Sequence, residues 1–183
     1  MSDDHSLIER VTDRQPIYSG RMVKLDLLTV QLPNGKTSQR EIITHPGAVA
    51  IVALDGNQNV LMVRQFRLAA NRAMLEIPAG TLEPNEAPLV CAERELQEET
   101  GYKPQKLVPL GGIFVAPGYT TEYIHLFLAT ELVKSRLEMD SDEFIEVEIM
   151  PLSEALNKID NGEIDDAKSI TALLRVARLI SAY

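Results

Sequence analysis

The longest apolar run in the chain, Ala48–Leu54, is seven residues long and restricts the possible folds more than any other feature. A helix that crosses a membrane needs about 20 apolar residues, so this run is far too short to span one. An apolar run of this length that ends in turn residues, here Asp55-Gly56-Asn57, is typical of a buried strand. With 183 residues the chain fits one domain with a core of its own.

The first half of the chain is patterned as strands. Ile17–Leu32 is predicted as one extended stretch, and Pro33-Asn34-Gly35 contains the Asn-Gly pair of a tight hairpin turn. Arg40–Ile43 is the predicted returning arm of that hairpin. Further strands are predicted at Val60–Phe66, Met74–Ile77, Leu107–Val115, Tyr123–Ala129 and Phe144–Met150.

Capping residues and apolar spacing predict helices. The first is expected from Glu86 to Thr100, with Asn85 as its N-terminal cap and Gly101 in the left-handed position after its end. Its apolar stripe is predicted to be Leu89, Ala92 and Leu96.

Two more helices are expected near the C-terminus. Ser153 is the predicted cap of a short helix that ends at Gly162, and a last helix is expected over Asp166–Ile180. Its predicted inward-facing residues are Ala167, Ile170, Leu173, Leu174 and Ala177. Many strands, one helix between them and two helices at the end predict a mixed α+β domain.

The net charge of −9 limits the partners of this chain. An acidic protein has no general electrostatic attraction to nucleic-acid phosphates. The acidic N-terminus, which includes Asp3 and Asp4, does not resemble a signal peptide, and the single cysteine, Cys91, cannot form an internal disulfide. We therefore expect a cytoplasmic protein without nucleic-acid or membrane partners.

The acidic residues are concentrated in two segments. Glu76–Tyr102 holds seven acids and one base, and Glu138–Glu148 holds six acids and no base. Such runs are usually solvated faces. The spacing of the acids decides whether they also indicate a functional site.

In the first segment the spacing is unfavourable for a bare helix. Glu95 and Glu99 are four residues apart and lie on one helical face, with Glu98 beside them. Glu98 and Glu99 also fall in the last turn, where the helix dipole favours cations. A bound divalent cation such as Mg²⁺, which prefers oxygen ligands, removes both penalties. A functional site is therefore predicted at this helix.

Two residues near these acids, Arg94 and Gly80, each have two possible roles. Arg94 is either an ion-pair partner of Glu98 one turn away or a guanidinium that fixes the orientation of a carboxylate. Gly80 permits either a positive φ or a close approach of the backbone to a ligand. The carbonyl of Ala79 is a candidate metal ligand.

These residues form one pattern with fixed spacing: Gly80, five residues, Glu86, seven residues, Arg94-Glu95-Leu96, one residue, Glu98-Glu99, one residue, Gly101-Tyr102. This pattern resembles the Nudix box, except that Tyr102 stands where the family usually has a bulky aliphatic residue. The resemblance implies a Nudix-type α/β/α sandwich that cleaves nucleoside diphosphates linked to another group. It also implies a single domain, with an N-terminal strand region over about residues 1–43 and a catalytic core over about 44–183.

The resemblance implies roles for the box residues. Glu95, Glu98 and Glu99 are the expected ligands of Mg²⁺ or Mn²⁺, two or three ions per site, together with the Ala79 carbonyl. Arg94 orients a box carboxylate, and Glu86, Gly80 and Gly101 support the loop and the helix. A late acidic residue serves as catalytic base or further ligand; Glu143 matches best, with Asp140 and Asp142 as alternatives.

The flanking segments resemble the ADP-ribose pyrophosphatase branch. Pro117 stands fifteen positions after Tyr102, and segments such as Arg64-Gln65-Phe66-Arg67 and Leu75-Glu76-Ile77-Pro78 are similar to bacterial members. The resemblance implies that Arg67 contacts the diphosphate. The other expected substrate-binding residues are Arg40, Glu76, Pro117, Gly118 and Glu122.

The expected reaction is the hydrolysis of ADP-ribose to AMP and ribose 5-phosphate. Other nucleoside diphosphate sugars and dinucleoside polyphosphates are alternative substrates, and a non-catalytic nucleotide sensor is a remote alternative. The resemblance also implies a homodimer that exchanges N-terminal strands.

Overall fold

The computed structural model describes residues 7–138 and 144–181. Their strands and helices follow in chain order: β1 Arg10–Ser19, β2 Lys24–Gln31, β3 Thr37–Thr44, β4 Ala48–Leu54, β5 Asn59–Arg67, β6 Arg72–Glu76, β7 Ala79–Thr81, α1 Pro88–Thr100, β8 Tyr102–Phe114, β9 Tyr123–Lys134, β10 Ile145–Pro151, α2 Leu152–Asp160 and α3 Ala167–Ser181. The predicted strands are confirmed in place, with ends that differ by up to five residues, except in the first stretch.

Residues 1–46 and 114–122 form one compact unit. Its described part holds an antiparallel sheet in the order β1-β2-β3. The single extended stretch predicted over Ile17–Leu32 is wrong, because the chain turns at Gly20, whose N–H donates to the carbonyl of Val23 at 2.9 Å. The predicted hairpin turn is confirmed: Gly35 has a φ of +80° and joins β2 to β3.

Residues 47–113 and 123–183 form the second unit. Its mixed sheet has the order β10-β5-β4-β9-β8, and β6 and β7 pair with β5 and β4. Strand β4 runs parallel to β9 and is buried at all seven positions, as the apolar run predicts.

Helices cover both faces of this sheet. On one face Ala92 and Leu96 of α1 pack on Val49 and Ile51 of β4. On the other face the core includes Leu152 of α2 and Leu173 and Val176 of α3. The expected α+β fold with helices on both sides of a mixed sheet is confirmed.

The start of α1 differs from the prediction. The helix begins at Pro88 with Ala87 as N-cap, and no side chain caps it. Asn85 adopts a φ of +65° in the preceding turn, so it is not the cap. Leu89 is 49% exposed, because Cys91, Glu95 and Glu99 occupy the inward face instead.

The C-terminal helices also need corrections. Pro151, not Ser153, is the N-cap of α2. In α3 Ala167 and Leu174 are exposed, whereas Lys168 and Ser169 are buried. No helix in residues 7–138 and 144–181 is long and apolar enough to cross a membrane.

Candidate active site

Gly80 and Glu95 come into contact where strand β7 meets α1. β7 pairs with β4 through Val49 and Gly80, and a Cβ atom on Gly80 would lie 1.9 Å from the carboxyl carbon of Glu95. Any side chain at this position would occupy the space of that carboxylate. The φ of Gly80 is outside the positive range, so close approach is the reason for a glycine here.

One guanidinium holds three carboxylates together. Arg94 donates from Nε and Nη2 to the two oxygens of Glu86, at 2.9 and 3.0 Å. Its Nη1 donates to Glu98 Oε2 at 2.8 Å and lies 2.8 Å from Glu95 Oε1. Both alternatives for Arg94 therefore hold, because it pairs with Glu98 one turn away and also fixes a second carboxylate in two-pronged geometry.

The ionisation of Glu86 reflects this contact. The hydrogen bonds from Arg94 lower the pKa of Glu86 to about 2, and the backbone N–H of Glu83 adds to the shift. The same contact raises the pKa of Arg94 above its ordinary value. The ion pair therefore persists at neutral pH and ties the loop before α1 to the helix.

Glu99 shares the buried face of α1 with Glu95. The two residues are 4% and 8% exposed, and the backbone N–H of Ala79 donates to Glu99 Oε2 at 3.0 Å. Strand β7 thus contacts both carboxylates. Two buried carboxylates one turn apart are costly without nearby positive charge.

The donor set suits a hard divalent cation, because carboxylate oxygens are the ligands that Mg²⁺ and Ca²⁺ prefer. Across the residues that the structure describes, no three His, Cys, Asp or Glu side chains form a ready metal-binding group. Glu95 and Glu98 are turned towards Arg94 instead.

Cys91 is buried next to Arg94 and its carboxylate partners. Its Sγ is 3.6 Å from the carbonyl oxygen of Thr81 and 3.4 Å from Nη2 of Arg94. Burial raises the pKa of the thiol, and the neighbouring Glu86 and Glu95 raise it further. The thiol therefore stays protonated and packs in the core, which is unlike a cysteine nucleophile.

A second ionic cluster connects the end of β5 with the start of α3. Arg67 donates from Nε and Nη2 to the two oxygens of Glu76, at 2.9 and 2.7 Å. Lys168 Nζ lies 2.6 Å from Oε2 of Glu76 and 2.9 Å from Oδ2 of Asp166. Burial pushes the pKa of Glu76 upward, but Arg67 and Lys168 outweigh it and lower that pKa overall.

Sequence reasoning missed Lys168, Asp166 and Ser169 in this cluster. Asp166 accepts from the N–H of Ser169 at 3.0 Å, which caps α3, and Ser169 Oγ accepts from the N–H of Ile77 at 2.9 Å. A usable signal exists, because Lys168 lies four residues before the buried Ala172 and thus on the inward face of the helix.

The other expected substrate residues lie in the first unit. Arg40 pairs with Glu9 at 2.6 Å, and Pro117 and Gly118 lie in a turn closed by Thr120 N–H and the Ala116 carbonyl. Glu122 belongs to the same unit.

Two further sets of expectations concern the helix end and the late acidic segment. Gly101 ends α1 with a φ of +76°, and its N–H donates to Gln97, as predicted. Glu143, Asp140 and Asp142 lie outside the described residues, so their roles stay predictions.

Comparisons with known proteins show the family of this chain. The model of the NUDIX domain matches residues 44–173. The chain is 44% identical to the "ADP-ribose pyrophosphatase" of Bacillus subtilis (strain 168) over 92% of both chains. It is 42% identical to the "Methanol dehydrogenase activator" of Bacillus methanolicus over 90% of both.

A solved structure described as an "ADP compounds hydrolase" superimposes with a TM-score of 0.86 over 95% of both chains, at 21% identity. At that identity the likeness concerns the fold alone. The family model covers well over half of the chain, and the matched range includes both Gly80 and Glu95. The chain therefore belongs to the NUDIX domain family.

Proposed function

We propose that this protein hydrolyses the diphosphate bond of ADP-ribose to AMP and ribose 5-phosphate. The observation that carries the proposal is the 44% identity to an ADP-ribose pyrophosphatase over 92% of both chains. The burial of Glu95 and Glu99, with Glu95 lying against Gly80, supports the proposal, because carboxylates can hold the divalent cations that such a reaction uses. In the reaction a water oxygen bonds to one phosphorus, the bond from that phosphorus to the bridging oxygen breaks, and the two phosphates separate.

NUDIX hydrolases generally depend on divalent cations, and we propose two or three Mg²⁺ or Mn²⁺ ions for this chain. Glu95, Glu98 and Glu99 would hold them, together with the carbonyl of Ala79. When bound, such ions neutralise the diphosphate and lower the pKa of a bound water. The acidic box supports this assignment, because an anionic substrate cannot approach these carboxylates without added positive charge.

Residues of the chain orient the reacting groups. Arg94 holds Glu86, Glu95 and Glu98 in place. Arg67, held by Glu76, is the proposed contact to the diphosphate.

A carboxylate of the late acidic segment accepts the proton of the attacking water. Glu143 is our proposed base, and Asp140 and Asp142 are its alternatives. Arg40, Glu122, Pro117 and Gly118 are proposed to contact the remaining parts of the substrate.

A substrate panel tests the function. The specificity constant kcat/KM is measured with Mg²⁺ and with Mn²⁺ for ADP-ribose, GDP-mannose, UDP-glucose, diadenosine polyphosphates and dGTP. We expect ADP-ribose to exceed the others by more than about tenfold, a difference of about 1.4 kcal/mol. Values within that range across the panel would indicate a general nucleoside diphosphate hydrolase, and no turnover at all would indicate a sensor.

A matched pair of substitutions tests the metal ligands. Glu99→Gln removes one anionic ligand, and we expect AMP release at saturating Mg²⁺ to fall by at least about 100-fold. Glu93→Gln is the control, because Glu93 lies on the same helix but pairs with Lys103 at 2.6 Å. Near-normal turnover by Glu99→Gln would refute the ligand assignment.

We also propose a cytoplasmic homodimer that associates through its N-terminal strands. In support, β1 is the edge of its sheet and is exposed at all ten positions. Its apolar side chains Val11 and Ile17 are each more than half exposed, as is common where a second chain binds.

A further inference from the structure

Lys168 is a buried cation in an unfavourable position. The residue is 9% exposed and stands in the first turn of α3, where the helix dipole disfavours positive charge. Burial of an ammonium group is costly unless it is paired. Favourable contacts must therefore offset the cost of burying this lysine at the start of a helix.

Its contacts lead to the exposed guanidinium of Arg67. Nζ of Lys168 and Nη2 of Arg67 both bond to Oε2 of Glu76, at 2.6 and 2.7 Å. The side chain of Glu76 is 2% exposed, whereas that of Arg67 is 39% exposed. Arg67 is therefore the member of this group that reaches solvent, and Glu76 is the buried anchor between the two cations.

The charges explain why a second cation matters. If Arg67 were the only cation paired with the buried carboxylate of Glu76, the charge of Arg67 would be offset by that carboxylate. Lys168 bonds to the same oxygen and is also paired with Asp166 at 2.9 Å, so this group holds two cations and two carboxylates. Without Lys168, two carboxylates would face one guanidinium and repel an outside anion; with it, Arg67 stays fixed by its two bonds to Glu76 and its charge is not outweighed.

We propose that Lys168 is a positioning residue for substrate binding: through Glu76 it orients Arg67 towards the diphosphate, and it balances the carboxylates of Glu76 and Asp166 that would otherwise outweigh the charge of Arg67. The inference rests on the proposed function in one respect, the contact between Arg67 and the diphosphate. Ser169 beside it has a different task, because its Oγ accepts from the N–H of Ile77 and donates to Asp166.

This difference provides a matched control. Lys168→Met keeps the length of the side chain and removes its charge, whereas Ser169→Ala removes a structural hydrogen bond one residue away. The dissociation constant of ADP, which carries the diphosphate, is measured by calorimetry with Mg²⁺, and kcat and KM for ADP-ribose are measured in parallel. Thermal unfolding reports the stability of each variant.

We expect Lys168→Met to weaken ADP binding and to raise KM by about tenfold, with kcat within about threefold. Ser169→Ala should lower the melting temperature without changing ADP binding. Lys168→Arg should restore part of the affinity. In an Arg67→Met background, Lys168→Met should have no further effect on ADP binding, because the contact through which it acts is gone.

The opposite results would overturn the inference. They are unchanged ADP binding by Lys168→Met, equal losses in Lys168→Met and Ser169→Ala, or a full effect of Lys168→Met without Arg67. If Lys168→Met does not fold, Lys168→Gln, which also lacks the charge, replaces it with the same expectation. Failure of the wild-type protein to cleave ADP-ribose would refute the proposed function but leave the ADP-binding comparison valid.

Discussion

Gly80 illustrates how one missing side chain creates space for a carboxylate. A Cβ atom there would meet the flexible end of Glu95 rather than the backbone, so the protein can yield by moving that carboxylate. For Gly80→Ala we therefore expect an unfolding free energy within about 1 kcal/mol of wild type. The Mg²⁺ concentration for half-maximal activity should rise by about tenfold or more, because Glu95, a proposed metal ligand, is displaced.

Gly56→Ala is the control for this substitution. Gly56 lies in the turn between β4 and β5, and a Cβ atom there would meet nothing within 4 Å. Its Mg²⁺ dependence should match that of the wild type. An unchanged Mg²⁺ dependence of Gly80→Ala would show that the position of the Glu95 carboxylate does not matter for the metal.

Helix α1 and the loop before it are joined by the pair of Glu86 and Arg94. Glu86 has a lowered pKa of about 2, below the value of about 4.3 in an unfolded chain. A lowered pKa contributes stability that is present above about pH 4.3 and is lost as the pH falls towards 2. Glu86→Gln should therefore lower the free energy of unfolding at pH 7. The difference in unfolding free energy between this variant and the wild type should be smaller at pH 3.

Urea unfolding at both pH values measures this difference. Glu83→Gln is the control, since it keeps the backbone N–H that Glu86 accepts. A stability difference of Glu86→Gln that stays constant between pH 7 and pH 3 would mean that ionisation of Glu86 is not its cause.

The elements that sequence predicts well are those with local causes. The apolar run of β4 is found at its predicted bounds, and Gly101 ends α1 where a left-handed residue is required. The start of α1 was wrong because Asn85 takes part in a turn with positive φ instead of capping. The inward face was wrong at Leu89 because carboxylates, normally outward, occupy the buried side.

At the scale of the whole molecule, the box and the second ionic cluster differ in how far apart their bonded residues lie in the sequence. The residues bonded to Arg94 are at most eight positions away, so all of them lie within the one short segment that the box pattern covers. Lys168 and Glu76 are 92 positions apart, and only the tertiary fold brings them together. Spacing within one segment carries no information about such a pair.

The proposed dimer is a property of the whole molecule. We expect light scattering after gel filtration to give twice the mass of one chain. Ile17→Glu places a charge on the exposed face of β1 and should shift the protein towards the monomer, because a buried unpaired charge is costly. Leu179→Glu, at an exposed apolar position of α3, should leave the mass unchanged. A wild-type monomer at micromolar concentration would contradict the proposal.

The parallel pairing of β4 with β9 has a consequence for how the chain folds. Ala48 pairs with Ile124, so β4 can complete its pairing only after β9, which is synthesised much later, has left the ribosome. Contacts between distant parts of a chain slow folding, because the intervening loop must close before they form. A nascent chain that ends within β8 therefore exposes the apolar edge of β4, and an exposed edge of this kind favours aggregation.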